Sequence, residues 1–252
     1  MISRILSAIR TRIQQKQWRA SVAAEANKVF PSLSVLDGPF AGMKYPSLTG
    51  HGSAVLPKLL GTYEAELHHI IEEAIAADPP LVVDVGCAEG HYAVGMALRL
   101  PKTKVIAADC STYAQELCSQ MAIKNGVKER LHVMGIVTKD FLRQQAVVQG
   151  GLLICDCEGG EKAILDPEIF AALSSWRILV ELHEFIEPGI EDSLIAMANV
   201  THACQVIDSI DDFRREQYWP KSHIAALPRP MRLEFYREGR PGLMRWLVAR
   251  PK

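Results

Sequence analysis

A chain of 252 residues with 28 basic and 29 acidic side chains carries a formal net charge of −1, so no global field points to a nucleic-acid coat or an acidic tail. Its 48% hydrophobic and 23% charged content suits one folded α/β domain plus accessory structure. No apolar run reaches the roughly 18 residues of a membrane span, no secretory leader is visible, and the six cysteines form no CxxC pair or zinc-type spacing, all of which fits reduced thiols in the cytoplasm.

Residues 1–30 read as a helix. Ile2, Ile5, Leu6, Ile9 and Ile13 recur at helical spacing, with Arg4, Arg10, Arg12, Lys16 and Arg19 among them and Glu25 as the one acid. Such a basic amphipathic helix can cap its own domain, which is the main expectation, or rest on an anionic membrane or a partner. Residues 31–60 are rich in Pro, Gly and Ser and read as a connector with a short hairpin. The chain therefore divides into an accessory segment, 1–60, and a domain, 61–252.

A helix is expected from Tyr63 to Ala77, ended by Asp78-Pro79-Pro80. Then the pattern alternates. Strand-like runs at Leu81–Val85, Lys104–Ala108, Leu131–Met134, Leu152–Cys155 and Ile178–Leu182 are separated by helical stretches at His91–Leu100, Thr112–Lys124, Lys139–Val147 and Glu161–Leu173. This predicts a parallel sheet with right-handed crossovers. Gln205–Ile210 and Arg245–Ala249 offer further strands, and the stretch 211–240 between them reads as a long loop of the kind that forms substrate lids.

Three strand ends carry chemistry. In Val82-Val83-Asp84-Val85-Gly86-Cys87-Ala88-Glu89-Gly90 a buried strand enters a small-residue turn before a helix, and the helix start offers free N–H groups to a ligand. The glycines fall as GxxxG and His91 occupies the third-glycine position of the nicotinamide-dinucleotide fingerprint, so that reading is poor. Asp84 suits a methyl donor with a cationic amino group. Asp109 ends the second strand 23 residues after Gly86, in register to accept the ribose hydroxyls of a nucleoside. Downstream, Asp156 and Glu158 end one apolar strand and Glu181 and His183 end the next. Ligands of open α/β sheets bind outside such carboxyl ends. The four side chains can serve as general base and orienting groups, hold a divalent cation, or cap helices.

On these segments the chain resembles the FkbM-type methyltransferases, a branch of the class I S-adenosyl-L-methionine-dependent enzymes. The carrying residues are Gly61-Thr62-Tyr63-Glu64, Asp84 through Tyr92, Asp156-Cys157-Glu158-Gly159-Gly160-Glu161 and Glu181-Leu182-His183, within roughly 60–250. The resemblance implies a Rossmann-like three-layer sandwich with a mostly parallel seven-stranded sheet and an antiparallel last strand. It also implies methyl transfer to oxygen on a hydroxylated small molecule such as a sugar or natural product. The expected cofactor contacts are Tyr63, Glu64, Asp84, Gly86, Cys87, Ala88, Gly90, Asp109, Gly135, Ile136 and Asp156, and the expected catalytic group is His183 with Asp156, Glu158 and Glu181. Two departures stand out: Cys87-Ala88-Glu89 replaces the more usual Ala-Asn-hydrophobic run, and residues 1–60 have no clear counterpart. The Asn/Asp/Ser-Pro-Pro-aromatic motif of many amino-group methyltransferases is absent at 156–159. Rival readings are an RNA or protein methyltransferase, a non-catalytic binding protein of the same fold, and a nicotinamide-dependent oxidoreductase. No nucleic-acid partner is expected, and a homo-oligomer is left open.

Overall fold

The computed structural model describes residues 2–252, with side chains described from residue 10 onward. The stripe residues Ile2, Ile5, Leu6 and Ile9, with Arg4, lie outside the described side chains. Helix α1 spans Ile2–Val29. Residues 10–21 of it are exposed, and its last turn is anchored in the body, where Ala26 and the following Phe30 are buried.

Residues 31–60 contain more structure than a connector. A single antiparallel bridge joins Ser34 to Lys44, and α2, Val55–Leu60, ends on the left-handed Gly61. The expected helix from Tyr63 begins instead with a 3-10 turn, Ala65–Leu67, and continues as α3, His68–Ala76. From there strands and helices alternate as expected: β1 Leu81–Val85, α4 His91–Arg99, β2 Lys104–Ala108, α5 Thr112–Lys124, β3 Leu131–Met134, α6 Lys139–Gln145 and β4 Leu152–Cys155.

The stretch 161–173 is two helices, α7 Glu161–Ile164 and α8 Pro167–Ala172. Asp166 breaks it by accepting the Ile169 N–H as an N-cap, with Pro167 in the first turn. Then follow β5 Arg177–Leu182, α9 Ile190–Ala198 and β6 His202–Asp208, the last starting three residues before the expected Gln205. The supposed long loop is largely helical, with α10 Asp212–Tyr218 and α11 Arg229–Tyr236, before β7 Arg245–Pro251 closes the chain.

The seven strands form one sheet in the order β3-β2-β1-β4-β5-β7-β6. All neighbours are parallel except β7, which runs antiparallel to both β5 and β6. This is the seven-stranded Rossmann-like sandwich with an antiparallel last strand. Alternation along the strands builds the layers. Val82, Ile154 and Leu179 face one core with Val94 of α4, Met121 of α5 and Phe30. Val83, Cys155 and Val180 face the other with Phe170 of α8 and Leu194 of α9. Because the chain winds from β1 to β2 in one direction and returns to β4 on the other side, a crevice opens outside the carboxyl ends of β1 and β4.

The N-terminal segment shares the first of these cores. Phe30 packs on Phe235 of α11 with ring centroids 5.8 Å apart, Trp18 Nε1 donates to Glu234 Oε1 at 3.0 Å, and Val35, Phe40, Met43 and Tyr45 are buried with the domain's own helices. Among the described residues no helix is long and apolar enough to cross a membrane, and all six cysteines are free. Phe30→Ala should cost about 3–5 kcal/mol in a denaturant titration, the range for a truncated buried aromatic. Ile13→Ala, on the exposed face, should stay within about 0.5 kcal/mol.

Candidate active site

The crevice is a cleft of about 530 Å³, walled by residues from all the parallel strand ends. Its floor is fixed by backbone geometry. Gly86 has φ +83°, and a Cβ there would lie 1.5 Å from the Asp156 carbonyl oxygen. Only glycine lets the loop after β1 pass so close to the end of β4. The Gly86 and Cys87 N–H groups both donate to the Ala108 carbonyl, at 2.8 and 3.0 Å. Ala88 and Glu158, which also line the cleft, adopt left-handed backbone at φ +48° and +53°, a conformation non-glycine residues rarely take.

Asp84 and Asp109 serve the loop as well as the cleft. Asp84 Oδ2 accepts the Ala93 N–H at 2.9 Å, so the start of α4 is already capped from the end of β1 rather than left entirely free. Burial pushes the Asp84 carboxyl up to about 7. Asp109 Oδ2 accepts the Ala88 N–H at 2.9 Å and Oδ1 accepts the Ser111 N–H at 2.8 Å. A carboxylate has about four acceptor positions, so two remain for a ligand.

Of the residues expected to touch a cofactor, Tyr63, Asp84, Gly86, Cys87, Ala88, Asp109, Gly135, Ile136 and Asp156 line this one cleft. Glu64 and Gly90 do not. Gly90 sits behind the loop, where a side chain would strike Cys118 Sγ at 2.8 Å. Glu64 is buried and bonded to Arg240 and to the Tyr92 hydroxyl. Glu89, where the loop departs from the FkbM pattern, pairs with buried Lys58 at 2.5 Å and accepts the His51 N–H at 3.1 Å. That pair ties the segment 51–58 to the cleft's edge.

The acid and imidazole side chains at the ends of β4 and β5 converge at the other end. His183 is 1% exposed. Its Nδ1 donates to Glu161 Oε1 at 2.8 Å, and the same oxygen accepts the Cys157 and Gly159 N–H groups at 3.2 and 3.3 Å. Burial alone would raise the Glu161 carboxyl, but its bond to His183 holds it below the usual range. Conversely, burial opposes charge on His183, while Glu161 and the Glu181 charge raise it above its ordinary value. The ring's other nitrogen, Nε2, points into the cleft, 3.4 Å from Glu181 Oε2, 3.4 Å from Glu158 Oε2 and 3.6 Å from Asp156 Oδ1. Burial first, and Glu181 second, push the Asp156 carboxyl well above its usual range.

Three participants escaped the sequence reading. Arg240 pairs with Glu64, Glu181 and Glu238, bringing the end of the supposed lid into the cleft wall. Glu238 binds Arg215 at 2.8 Å and accepts the Glu64 N–H at 2.7 Å. Glu161 was visible as the last residue of Asp156–Glu161, yet its role as the anchor of His183 depends on a fold that brings α7 beside the end of β5.

No protein-family model matches the chain. A release factor glutamine methyltransferase from Chlorobaculum tepidum is 40% identical over 73 residues, which is 27% of this chain and 25% of that relative. The aligned part thus spans about a quarter of the relative's length. Among solved structures, an O-methyltransferase from Bacillus cereus in complex with SAH overlays with a TM-score of 0.49 at 10% identity, covering 73% of this chain and 79% of that one. An rRNA methylase from Streptococcus thermophilus overlays with a TM-score of 0.49 at 11% identity, covering 74% and 97%.

The Asp84 geometry fixes a pH signature. A raised carboxyl penalises folding as it ionises, so this contribution to stability falls between the unfolded value, about 3.9, and the folded one, about 7. Asp84→Asn, which can still accept from Ala93, should therefore gain stability relative to the native chain as pH rises through that window, then hold the gain. Thermal melts of both proteins between pH 4 and 8 check this. A difference that does not change with pH contradicts it.

Proposed function

We propose that this protein is an S-adenosylmethionine-dependent methyltransferase acting on an oxygen of a hydroxylated small molecule. The observation that carries the reading is that the glycine loop, Asp84, Asp109 and the acid–imidazole cluster all open on one cleft. A nucleoside carrying a sulfonium amino acid fits this sequence of groups. Asp109 accepts the ribose hydroxyls, Ile136 at the rim (73% exposed) offers a flat apolar contact for the adenine, and Asp84 draws the donor's ammonium toward the floor. The convergence of the FkbM-like segments on this cleft supports kinship with those enzymes.

The donor's methyl then faces Asp156, Glu158, Glu181 and His183, where the acceptor binds. The methyl–sulfur bond breaks with its electron pair left on sulfur, a carbon–oxygen bond forms, and the hydroxyl proton leaves into this cluster. The sulfonium is already a good electrophile, so most of the rate comes from in-line positioning, worth on the order of 7–11 kcal/mol at best.

A second reading, methylation of a protein, draws on the likeness to the release factor glutamine methyltransferase. The absent Asn/Asp/Ser-Pro-Pro-aromatic motif at 156–159 weighs against an amide acceptor. Acceptor screens with hydroxylated small molecules and a glutamine peptide separate the two.

Calorimetry should show micromolar binding of S-adenosylhomocysteine and no binding of NAD. Asp109→Ala should weaken it by about 1–3 kcal/mol through lost hydrogen bonds to a charged group, and an unchanged dissociation constant removes Asp109 from the ribose role. His183→Ala should retain donor binding and lower turnover at least about 100-fold. Full activity in that variant reassigns the cluster to helix capping and loop architecture.

A further inference from the structure

We propose that Asp156, Glu158 and His183 form a binding site for one divalent first-row cation. One donor atom from each residue lies within 4.8 Å of the others. The separations from His183 Nε2 to the two carboxylates, 3.6 and 3.4 Å, are long for hydrogen bonds. They match the spacing of neighbouring ligands around an ion with bonds of about 2.0–2.5 Å, which is about 3–3.6 Å.

Two further observations separate this cluster from an ordinary patch of surface acids. First, His183 is nearly fully buried, and its Nε2 faces the cluster, with carboxylate oxygens of Glu158 and Glu181 at 3.4 Å and of Asp156 at 3.6 Å. Its orientation is imposed from the opposite side of the ring, where buried Glu161 holds Nδ1–H at 2.8 Å. A carboxylate fixing one imidazole nitrogen so that the other presents its lone pair is the support that metal-ligating histidines require. Second, among the described residues no Lys or Arg pairs with Asp156 or Glu158, whose ion-pair contacts are with the His183 ring alone. Arg240 is committed to Glu64, Glu181 and Glu238, none of which is a proposed ligand, and Asp156 Oδ1 is enclosed without a hydrogen-bond partner. An unpaired buried carboxylate oxygen is costly, and a cation between Asp156, Glu158 and Nε2 would satisfy both.

One imidazole and two carboxylates suit Mn²⁺ or Zn²⁺ better than an all-oxygen ion. Three protein ligands facing an open cleft leave positions for water or an acceptor oxygen. The site stands on the geometry alone, whereas its use in holding an acceptor rests on the methyl-transfer reading above.

The test is Mn²⁺ binding to chelator-treated full-length protein, followed by electron paramagnetic resonance without donor or acceptor. The expected result is one saturable site per chain. It should weaken at least tenfold in Glu158→Gln, an exposed position safe for folding, and about 10–100-fold in Glu161→Gln, the supporting residue. It should be lost in His183→Ala, and Zn²⁺ should compete. No saturable binding, or affinity unchanged in Glu158→Gln, overturns the site. S-adenosylhomocysteine titrated into the same samples reads the donor site separately, so failure of the cation site and failure of the methyltransferase reading give different results.

Discussion

The arrangement depends on one close approach. The loop leaving β1 touches the backbone leaving β4 at Gly86 and Asp156, where no side chain can intervene. The Asp156 N–H also donates to the Val85 carbonyl at 2.8 Å, extending the β1–β4 pairing to the lip of the crevice. Two consequences follow. The loop 86–90 must turn away from β4 toward β2, where Asp109 receives it, and the chain after Asp156 must turn toward β5, where His183 stands. The glycine loop and the acid cluster thus share one wall because the same contact sends their loops in opposite directions.

Around this wall the protein spends buried charge freely. Arg215 is fully buried between Glu66 and Glu238, at 3.0 and 2.8 Å, and also donates to the Thr62 and Ile210 carbonyls. Arg240 continues the chain of charges to Glu64 and Glu181, and on the opposite flank Lys58 and Glu89 do the same for the segment 51–58. Buried pairs of this kind contribute little net stability once desolvation is counted, but removing one partner is expensive. Their effect here is positional: they fasten segments distant in sequence, near residues 58–66 and 238–240, to the rim of the same cleft.

The sheet was legible because its strands are short apolar runs, the central ones buried on both faces, bounded by Asp-Pro-Pro, Asn-Gly and strand-end acids. Those features act locally, so Leu81–Val85, Lys104–Ala108, Leu131–Met134 and Leu152–Cys155 match the observed strands. The antiparallel β7 came from family resemblance, since a strand's direction leaves no local mark. Local signals were misjudged at Asp166-Pro167, where a visible cap and proline divide the helical stretch. The segment 211–240 misled for another reason: α10 and α11 are short, and α11 is held by packing on α2 and Phe30 rather than by its own periodicity. The strand-end acids were found because periodicity two and the carboxyl-end rule place them. Arg240, Glu238 and Glu161 were missed because the contacts that place them at the cleft, Arg240–Glu64, Glu238–Glu64 and Glu161–His183, join residues 176, 174 and 22 positions apart.

The central claim is that a methyl donor lies across the β1–β4 crevice with its sulfur toward the acid–imidazole cluster. The most direct measurement is a crystal structure of the protein with S-adenosylhomocysteine. The account predicts ribose hydroxyls within hydrogen-bond reach of Asp109, the amino acid end over Gly86 and Asp84, and the sulfur facing the space between Asp156 and His183. A ligand bound outside this cleft, or bound with its sulfur turned away from Asp156 and His183, would contradict it.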